Sequence, residues 1–204
     1  MATGGAPLDA LEAIVLAGGA GSRFGGGKLT APWRGGALID GALAAAFAAP
    51  VRTVTVVTGA DSKVETAARD FAERTGDAER LRLAHCADHA EGMGATLRTG
   101  VAALPPDAVG AFIFLGDMPL IPPAVLPALA AALAAGAVAA APSFEGQRGH
   151  PVLFSAALLP QLRSLTGDQG AREVLRALGD QLALVEAPDG GVLVDIDRPE
   201  DLQP

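Results

Sequence analysis

The chain has 204 residues, half of them apolar, and a formal net charge of −8 at pH 7. This length predicts a single domain, residues 1–204, that is large enough to bury a substantial core. The acidic balance argues against nonspecific nucleic-acid binding and against binding to anionic membranes, because both require a basic surface. The one cysteine, Cys86, excludes an internal disulfide bond and is typical of a small buried residue in a reducing cytoplasm.

Apolar runs and helical patterns alternate along the chain. This alternation predicts an α/β fold with a mostly parallel sheet, in which ligands bind beyond the carboxyl ends of the strands. A polar turn at residues 145–151 precedes a short apolar run at residues 152–154. The predicted strands are residues 13–17, 51–57, 81–85, 108–115, 137–141, 182–186 and 192–195, and the predicted helices are residues 38–49, 61–75, 93–104, 123–135, 156–164 and 170–178.

One uncharged segment, residues 118–144, is long enough to be tested as a membrane span. Prolines interrupt it repeatedly, and much of it is alanine, which is only weakly hydrophobic. We therefore expect a loop, a helix and a buried strand there. With no secretory signal pattern at the N-terminus, we expect a soluble cytoplasmic protein.

The first predicted strand runs into a loop that contains six glycines between Gly18 and Gly27. Its only charged side chains are Arg23 and Lys28, both cationic. Exposed backbone amides and two cations directly after a strand are suited to a polyphosphate. The dinucleotide fingerprint fails at Phe24, and the P-loop pattern fails because Leu29 follows the lysine. The alternative is a glycine-rich hairpin with incidental charges.

Two acidic side chains are candidates for a magnesium site. Asp117 follows the apolar run 108–115 closely, and Asp197 follows the last predicted strand. Magnesium in proteins takes one or two carboxylates and completes its octahedron with phosphate and water. The alternatives are a turn residue for Asp117 and a helix cap of residues 199–202 for Asp197.

A second acidic and histidine-containing stretch has weaker metal-binding character. His85, His89 and Glu91 have a spacing that suits a metal, but two histidines with no clear third partner are more typical of a solvated loop. We therefore expect no metal site there.

Six sequence motifs follow one another along the chain. They are L-A-G-G-A-G-S-R-F-G-G-G-K at 16–28, E-G-M-G-A-T-L-R at 91–98, L-G-D-M-P at 115–119, R-G-H-P-V-L-F at 148–154, G-D-Q-G-A-R at 167–172 and D-I-D-R-P-E-D at 195–201. In this order, and over most of residues 13–201, they resemble the motifs of the molybdenum cofactor cytidylyltransferase family and its nearest nucleotidyltransferase relatives. The glycine loop and G-D-M-P are shared by many nucleotidyltransferases, whereas the other motifs narrow the resemblance to this family.

The resemblance implies a Rossmann-like three-layer enzyme that joins CTP to the terminal phosphate of molybdopterin and releases pyrophosphate. It implies Mg²⁺ as the cofactor and a transient contact with a molybdoenzyme or its chaperone. By position in the motifs, Arg23, Lys28 and Asp117 would be catalytic. The implied triphosphate ligands are Arg23 and Lys28, the metal ligands Asp117 and Asp197, the remaining nucleotide contacts Leu16, Ala17, Gly18, Gly19, Met93, Gly94 and Thr96, and the acceptor contacts His150, Asp168 and Arg172.

The chemistry requires no general base, since a phosphate monoester is already ionised near neutral pH. Catalysis would then rest on positioning and on neutralisation of charge by the metal, Lys28, Arg23 and the loop amides.

Departures from the family pattern leave open which nucleotide base the protein selects. The family usually has alanine at Gly18 and serines at Gly94 and Thr96, while Arg198 stands in place of a usual threonine. Gly18 would enlarge the base site by a methyl group, so Gly18→Ala would sharpen a preference for CTP. Guanylyl transfer to the same acceptor, a sugar-1-phosphate nucleotidyltransferase and a noncatalytic nucleotide-sensing module remain alternatives.

Overall fold

The structure, a computed structural model, describes residues 8–19, 21, 24–165, 167 and 170–202. Strands and α-helices alternate through these residues, with short 3₁₀ turns between them. The strands are β1 (Leu11–Ala17), β2 (Pro32–Trp33), β3 (Gly36–Ala37), β4 (Val54–Thr58), β5 (Leu81–His85), β6 (Gly110–Leu115), β7 (Ala139–Phe144), β8 (Gln147–Arg148), β9 (Val152–Ser155) and β10 (Leu182–Glu186). The helices are α1 (Ile39–Ala48), α2 (Lys63–Thr75), α3 (Met93–Ala102), α4 (Val125–Ala134), α5 (Leu159–Arg163) and α6 (Arg172–Leu178).

The main sheet has the strand order β10-β7-β9-β6-β1-β4-β5, and β8 pairs with β7. β1 lies between β4 and β6 and is parallel to both, with Ala13 opposite Val54 on one side and Phe112 on the other. β5 continues the parallel pairing beyond β4, and β10 is parallel to β7. The predicted α/β class with a mostly parallel sheet is therefore confirmed.

Two strands of this sheet run in the opposite direction. β9 pairs antiparallel with both β6 and β7, and β8 pairs antiparallel with β7. The reversal follows a tight turn in which Glu145 and Gly146 both have positive φ, a conformation that glycine tolerates without steric cost. The sequence predicted the polar turn and the apolar run after it, but not the direction of the run.

The core lies on both faces of the sheet, because alternate residues of a strand point to opposite faces. Leu11, Ala13 and Val15 belong to a cluster with buried residues of α1, α2 and α4. Ile14 and Leu16 belong to a second cluster with α3, α5 and α6. Helices thus cover both faces, and the Rossmann-like three-layer arrangement is confirmed.

The predicted strand at residues 192–195 is wrong. Gly190–Leu193 forms a 3₁₀ turn, and the Asp189 carboxylate accepts a hydrogen bond of 2.8 Å from the Gly191 N–H. Two adjacent glycines and a capping aspartate favour a turn. The alternating valines at 192 and 194 gave the pattern of a strand, yet they lie outside the sheet.

The segment at residues 118–144 contains a turn, the helix α4 and the strand β7, as expected. In the described part of the chain, no helix has both the length and the apolar character that a membrane crossing requires. Cys86 is buried and unpaired, which is also as expected.

Candidate active site

The two predicted site segments meet at one edge of the sheet. β1 and β6 are parallel neighbours, so their carboxyl ends lie side by side. The Gly116 N–H donates a hydrogen bond of 3.0 Å to the Leu16 carbonyl, which joins the ends of the two strands. The glycine loop and Asp117 therefore leave the sheet next to each other.

The glycine loop needs its glycines for conformation and for close approach. Gly21, Gly25, Gly26 and Gly27 all have positive φ, a region that other residues adopt only at a cost. The Gly21 carbonyl accepts hydrogen bonds from the N–H groups of Phe24 and Gly26, at 2.9 and 3.2 Å. A Cβ at Gly21 would stand only 3.0 Å from Cβ of Lys28, so the loop backbone packs against that side chain.

Lys28 lies between two carboxylates. Its Nζ donates hydrogen bonds to Oδ2 of Asp117 at 2.8 Å and to Oδ1 of Asp197 at 3.1 Å. The Lys28 side chain is only 10 % exposed. Burial by itself lowers the pKa of this ammonium, but the hydrogen bonds and charges of the two carboxylates outweigh burial and raise the pKa above its ordinary value. Lys28 is therefore a cation at neutral pH.

Asp197 reaches the site through a backbone contact rather than from a strand end. The Ile196 N–H donates a hydrogen bond of 3.0 Å to the Asp117 carbonyl, which joins the C-terminal segment to the Asp117 turn. The carboxylate that caps the following turn belongs to Asp201, which accepts from the N–H groups of Asp197 and Arg198 at 3.0 and 2.8 Å. The Asp197 carboxylate is thus turned toward Lys28. The prediction that Asp197 follows a last strand is wrong, because the strand predicted at residues 192–195 is absent.

The donor set of this site fits a divalent cation that arrives with a phosphate ligand. Asp117 and Asp197 both bring an oxygen within hydrogen-bond distance of a single point, the Lys28 ammonium. No group of three or more histidine, cysteine, aspartate or glutamate side chains with metal-binding geometry occurs among the described residues. Mg²⁺ is commonly bound by one or two carboxylates together with substrate phosphates, so a two-carboxylate site suits it.

His85, His89 and Glu91 are divided between a strand and a turn. His85 is the last residue of β5, and its Nδ1 lies 3.4 Å from the Thr58 hydroxyl. His89 and Glu91 belong to the 3₁₀ turn His89–Glu91, and the Glu91 carboxylate accepts a hydrogen bond of 3.1 Å from Arg98. The absence of a metal site in this stretch stays a prediction.

A cavity of about 500 Å³ opens in front of the loop and the charged cluster. It brings together most of the residues that the motifs assigned to the nucleotide. Gly94 is the exception, since it is buried in the first turn of α3 and does not line the cavity. The predicted residues that line it are Leu16, Ala17, Gly18, Gly19, Lys28, Met93, Thr96 and Asp117.

The expected extra space at Gly18 is already filled. A Cβ at this position would lie 2.7 Å from Oγ1 and 3.0 Å from Cγ2 of Thr96. Both distances are shorter than an ordinary van der Waals contact, so the threonine side chain takes the place of an alanine methyl group. The prediction that Gly18 alone enlarges the base site is therefore wrong, because residues 18 and 96 share that space.

A second cavity, of about 480 Å³, adjoins the first. Both cavities are lined by Leu16, Met93 and Leu115. The interior of the second is largely apolar, and arginines contribute to its lining. Of the residues that the motifs assigned to the acceptor, the two that the structure describes, His150 and Arg172, line this second cavity. The other residues that line it are Leu97, Ile113, Arg148, Val152, Phe154, Ala171, Glu173, Leu175 and Arg176.

His150 contributes a neutral imidazole to this cavity. Burial lowers its pKa from 6.5 to about 4, and the charge of Arg148 acts in the same direction. Its Nδ1 is enclosed and has no hydrogen-bond partner within the protein. At neutral pH the ring is therefore uncharged.

Two of the predicted residues, Arg23 and Asp168, lie outside the described residues. Sequence analysis also missed two arginines of the second cavity, Arg148 and Arg176. A signal for Arg176 was present, since it stands four residues after Arg172 on one helix and such residues share a helix face. Arg148 begins the motif R-G-H-P-V-L-F and stands two residues before His150, but its place beside the second cavity depends on the β7–β8 turn.

These features are those of an enzyme that handles nucleoside triphosphates. The chain belongs to the family of MobA-like NTP transferase domains, whose profile matches residues 13–182. Asp197 lies beyond the residues that the family profile matches. Its assignment to the site therefore rests on its contact with Lys28.

Two characterised relatives match nearly the whole chain. The purine catabolism protein PucB of Bacillus subtilis (strain 168) is 34 % identical over 198 residues, which are 94 % of this chain and 93 % of that protein. The molybdenum cofactor cytidylyltransferase of Escherichia coli (strain K12) is 27 % identical over 196 residues, which are 95 % and 94 % of the two chains. Because the two names differ, relatedness gives the family and leaves the substrate open.

A solved structure supports the fold. Rv0371c of Mycobacterium tuberculosis H37Rv, crystallised in complex with manganese, superposes with a TM-score of 0.71 and is 23 % identical. The superposition covers 94 % of this chain and 95 % of that one. At this identity the likeness concerns the fold alone.

Proposed function

We propose that this protein is a Mg²⁺-dependent cytidylyltransferase that joins CTP to the terminal phosphate of molybdopterin. The observation that carries the proposal is the contact of Lys28 with Asp117 and Asp197 in a cavity that adjoins a second one with an arginine-containing lining. Two adjoining cavities suit a reaction between two substrates, each of which carries phosphate. The product is the cytosine dinucleotide form of the cofactor, together with pyrophosphate.

The proposed reaction is nucleotidyl transfer, and the charged groups of the first cavity would stabilise it. An oxygen of the acceptor monoester attacks the α-phosphorus of CTP, the new P–O bond forms, and the bond to the β-phosphate breaks with release of pyrophosphate. Lys28 and the glycine loop bind the triphosphate and neutralise the charge that develops on it. Arg23, which stands five residues earlier in the same motif, has the same proposed role. Asp117 and Asp197 would hold Mg²⁺, which when bound neutralises phosphate charge and orients the leaving group.

The acceptor is assigned from the lining of the second cavity. Met93, which is exposed, and Leu115 and Ala171, which are half-buried, offer an apolar surface to a flat ring system. Arg148 and Arg172 supply cations for the phosphate of the same molecule. A pterin with a phosphate tail has both features, whereas a sugar phosphate offers little apolar surface. Asp168 is a further proposed contact with the acceptor.

The metal and the setting of the enzyme belong to the same proposal. Mn²⁺ in the related fold of Rv0371c is consistent with use of a divalent cation, and we propose Mg²⁺ because it is the usual partner of triphosphates. We propose that the reaction takes place in the cytoplasm. The product would pass to a molybdoenzyme or its chaperone through a transient contact.

Release of pyrophosphate by the purified protein tests this function. CTP, GTP, ATP and UTP are supplied one at a time, with and without molybdopterin, in the presence of Mg²⁺. We expect release that depends on both CTP and molybdopterin. A kcat/KM for GTP tenfold or more above that for CTP would contradict the cytidylyl assignment and favour guanylyl transfer. Release with a sugar-1-phosphate but not with molybdopterin would contradict the acceptor, and no release with any acceptor would favour a nucleotide-sensing module.

A further inference from the structure

The ammonium of Lys28 lies where a divalent cation held by both carboxylates would have to lie. It contacts Asp117 at 2.8 Å and Asp197 at 3.1 Å, and its side chain is nearly buried. We infer that Lys28 competes with the divalent cation for this carboxylate pair, so that Lys28 must move to the triphosphate before the metal is bound tightly. The inference rests on the proposed function for the identity of the triphosphate site.

The two occupants exclude each other when the metal uses the oxygens that Nζ contacts, Oδ2 of Asp117 and Oδ1 of Asp197. Mg²⁺ and Mn²⁺ bind carboxylate oxygens at distances shorter than a hydrogen bond from an ammonium, about 2.0–2.1 Å for Mg²⁺. A metal that used both oxygens would therefore lie in the gap that Nζ fills, and its charge would repel the ammonium. One of the two cations has to leave.

The Lys28 side chain can release the carboxylates only at its tip. Its backbone begins the short 3₁₀ turn Lys28–Thr30, and Gly21 is so close that a Cβ added to it would lie 3.0 Å from Cβ of Lys28. The stem is thus held, and Lys28 lines the same cavity as Gly18, Gly19 and Gly27. Phosphate oxygens bound in that cavity would give Nζ a new anionic partner within a small movement.

This exchange predicts the order in which the ligands bind. In the free protein, the Lys28 ammonium already offsets part of the negative charge of the two carboxylates. A metal ion that binds without a triphosphate therefore gains little electrostatic free energy. When a triphosphate accepts Nζ, both carboxylates become available at the moment when phosphate oxygens can complete the metal's coordination. Metal and triphosphate should therefore bind cooperatively, with weak binding of the metal alone.

Titration with Mn²⁺ in the absence of any nucleotide tests the competition. Free Mn²⁺ is followed by electron paramagnetic resonance for the wild type, Lys28→Met, Lys28→Arg and Lys63→Met. Lys63 is the only other lysine and lies exposed at the start of α2, so it is the matched control. We expect Lys28→Met to bind Mn²⁺ about tenfold more tightly than the wild type, because the competing charge is gone. Lys28→Arg and Lys63→Met should bind as the wild type does.

The direction of the change in Mn²⁺ affinity distinguishes this inference from a simple loss of function. Lys28→Met should lose nucleotidyl transfer and yet gain affinity for the metal. Equal or weaker binding of Mn²⁺ by folded Lys28→Met would overturn the inference. So would tighter binding by Lys63→Met to the same degree, because the gain would then not come from the site.

A second measurement uses the wild type and does not depend on the folding of a variant. With ¹³C label at Cε of lysine, the spectrum contains signals from Lys28 and Lys63 alone, and Lys63→Arg assigns them. Addition of millimolar Mg²⁺ should shift the Lys28 signal and leave the Lys63 signal in place. Saturation of the protein with Mg²⁺ without a shift at Lys28 would overturn the inference.

Neither experiment contains CTP or molybdopterin, so the two proposals can fail separately. Competition at Lys28 without any release of pyrophosphate would overturn the proposed function and support the exchange at this site. Transfer to molybdopterin with no competition would overturn the exchange and leave the proposed function in place.

Discussion

At the scale of single residues, the site depends on three charged side chains that are far apart in sequence. Lys28 and Asp117 are separated by 89 positions and Lys28 and Asp197 by 169, yet each pair is within hydrogen-bond distance. The net charge of this triad is negative, which suits a divalent cation. The first two predictions test the triad and the cavity beside it.

Asp117→Asn should retain the fold and lose Mg²⁺-dependent turnover. An amide oxygen carries no charge to hold the metal, so we expect kcat to fall by roughly 100-fold or more, the scale of one lost electrostatic stabiliser. Steady-state release of pyrophosphate measures kcat, and thermal unfolding checks the fold. Asp70→Asn, an exposed change on α2, is the control. Turnover within threefold of the wild type would remove Asp117 from the site.

Gly18→Ala should destabilise the protein, and Thr96→Ala should relieve most of that loss. The added Cβ overlaps the Thr96 side chain, and overpacking of this kind costs about 1–3 kcal/mol. Urea unfolding of the wild type, both single variants and the double variant gives the coupling free energy between the two positions. Additive effects of the two changes would show that residues 18 and 96 do not share the space.

At the scale of secondary-structure elements, the amino ends of the central strands contain an ion pair whose carboxylate is fully buried. Glu12 on β1 is fully buried, and its carboxylate accepts hydrogen bonds from Arg52 and from the N–H and hydroxyl of Thr53, which precede β4. Arg52 also pairs with Asp107 before β6. The cluster therefore joins the amino ends of three neighbouring strands, far from the glycine loop.

Glu12→Gln should destabilise the fold by about 3 kcal/mol, because it removes a buried charge that three donors satisfy. We expect kcat/KM to remain unchanged, since the cluster lies at the amino ends of the strands. The control is Glu65→Gln on α2, whose exposed pair with Arg69 at i,i+4 should contribute less than about 0.5 kcal/mol. Urea unfolding gives both free energies, and an equal effect of the two changes would contradict the structural role of Glu12.

The turn that precedes β9 gives the protein a dependence of stability on pH. The His150 pKa is lowered from 6.5 to about 4 in the fold, so the unfolded chain takes up a proton first as the pH falls. Stability from this residue is complete above pH 6.5 and is lost between pH 6.5 and 4, by up to about 3 kcal/mol at 1.36 kcal/mol for each pKa unit. His150→Gln should lose less stability over this range in urea unfolding. Identical pH profiles for the two proteins would contradict the lowered pKa.

At the scale of the whole molecule, a chain with a charge of −8 has to bind anionic substrates through local clusters of cations. The first cavity has Lys28, and the second has Arg148, Arg172 and Arg176 in its lining. The two cavities share a wall that includes Met93. Each substrate should therefore depend on its own cations.

Arg172→Ala should raise KM for molybdopterin by about tenfold, which corresponds to about 1.4 kcal/mol, and leave KM for CTP unchanged. The reason is that Arg172 lines the second cavity and not the first. Initial rates with each substrate varied in turn give both KM values. Arg82→Ala, on the outermost strand β5, is the control. A rise of KM for CTP alone would contradict the assignment of the second cavity to the acceptor.

The sequence by itself determined those parts of the site that are continuous in the chain. The glycine loop, which ends at Lys28, follows β1 directly, and the turn at Asp117 follows β6, so local patterns place both segments at the carboxyl ends of parallel strands. The alternation of elements likewise determined the α/β class. These conclusions need only short-range periodicity, which sequence carries explicitly.

Tertiary structure decided what depends on contacts between distant segments. The backbone hydrogen bond from Ile196 to Asp117 brings Asp197 to Lys28, although the strand predicted before it does not exist. The direction of β9 follows from the turn after β7, and the space at Gly18 follows from its approach to Thr96 on another element. No local pattern encodes these features, because each arises only when packing of the core fixes two remote parts of the backbone against each other.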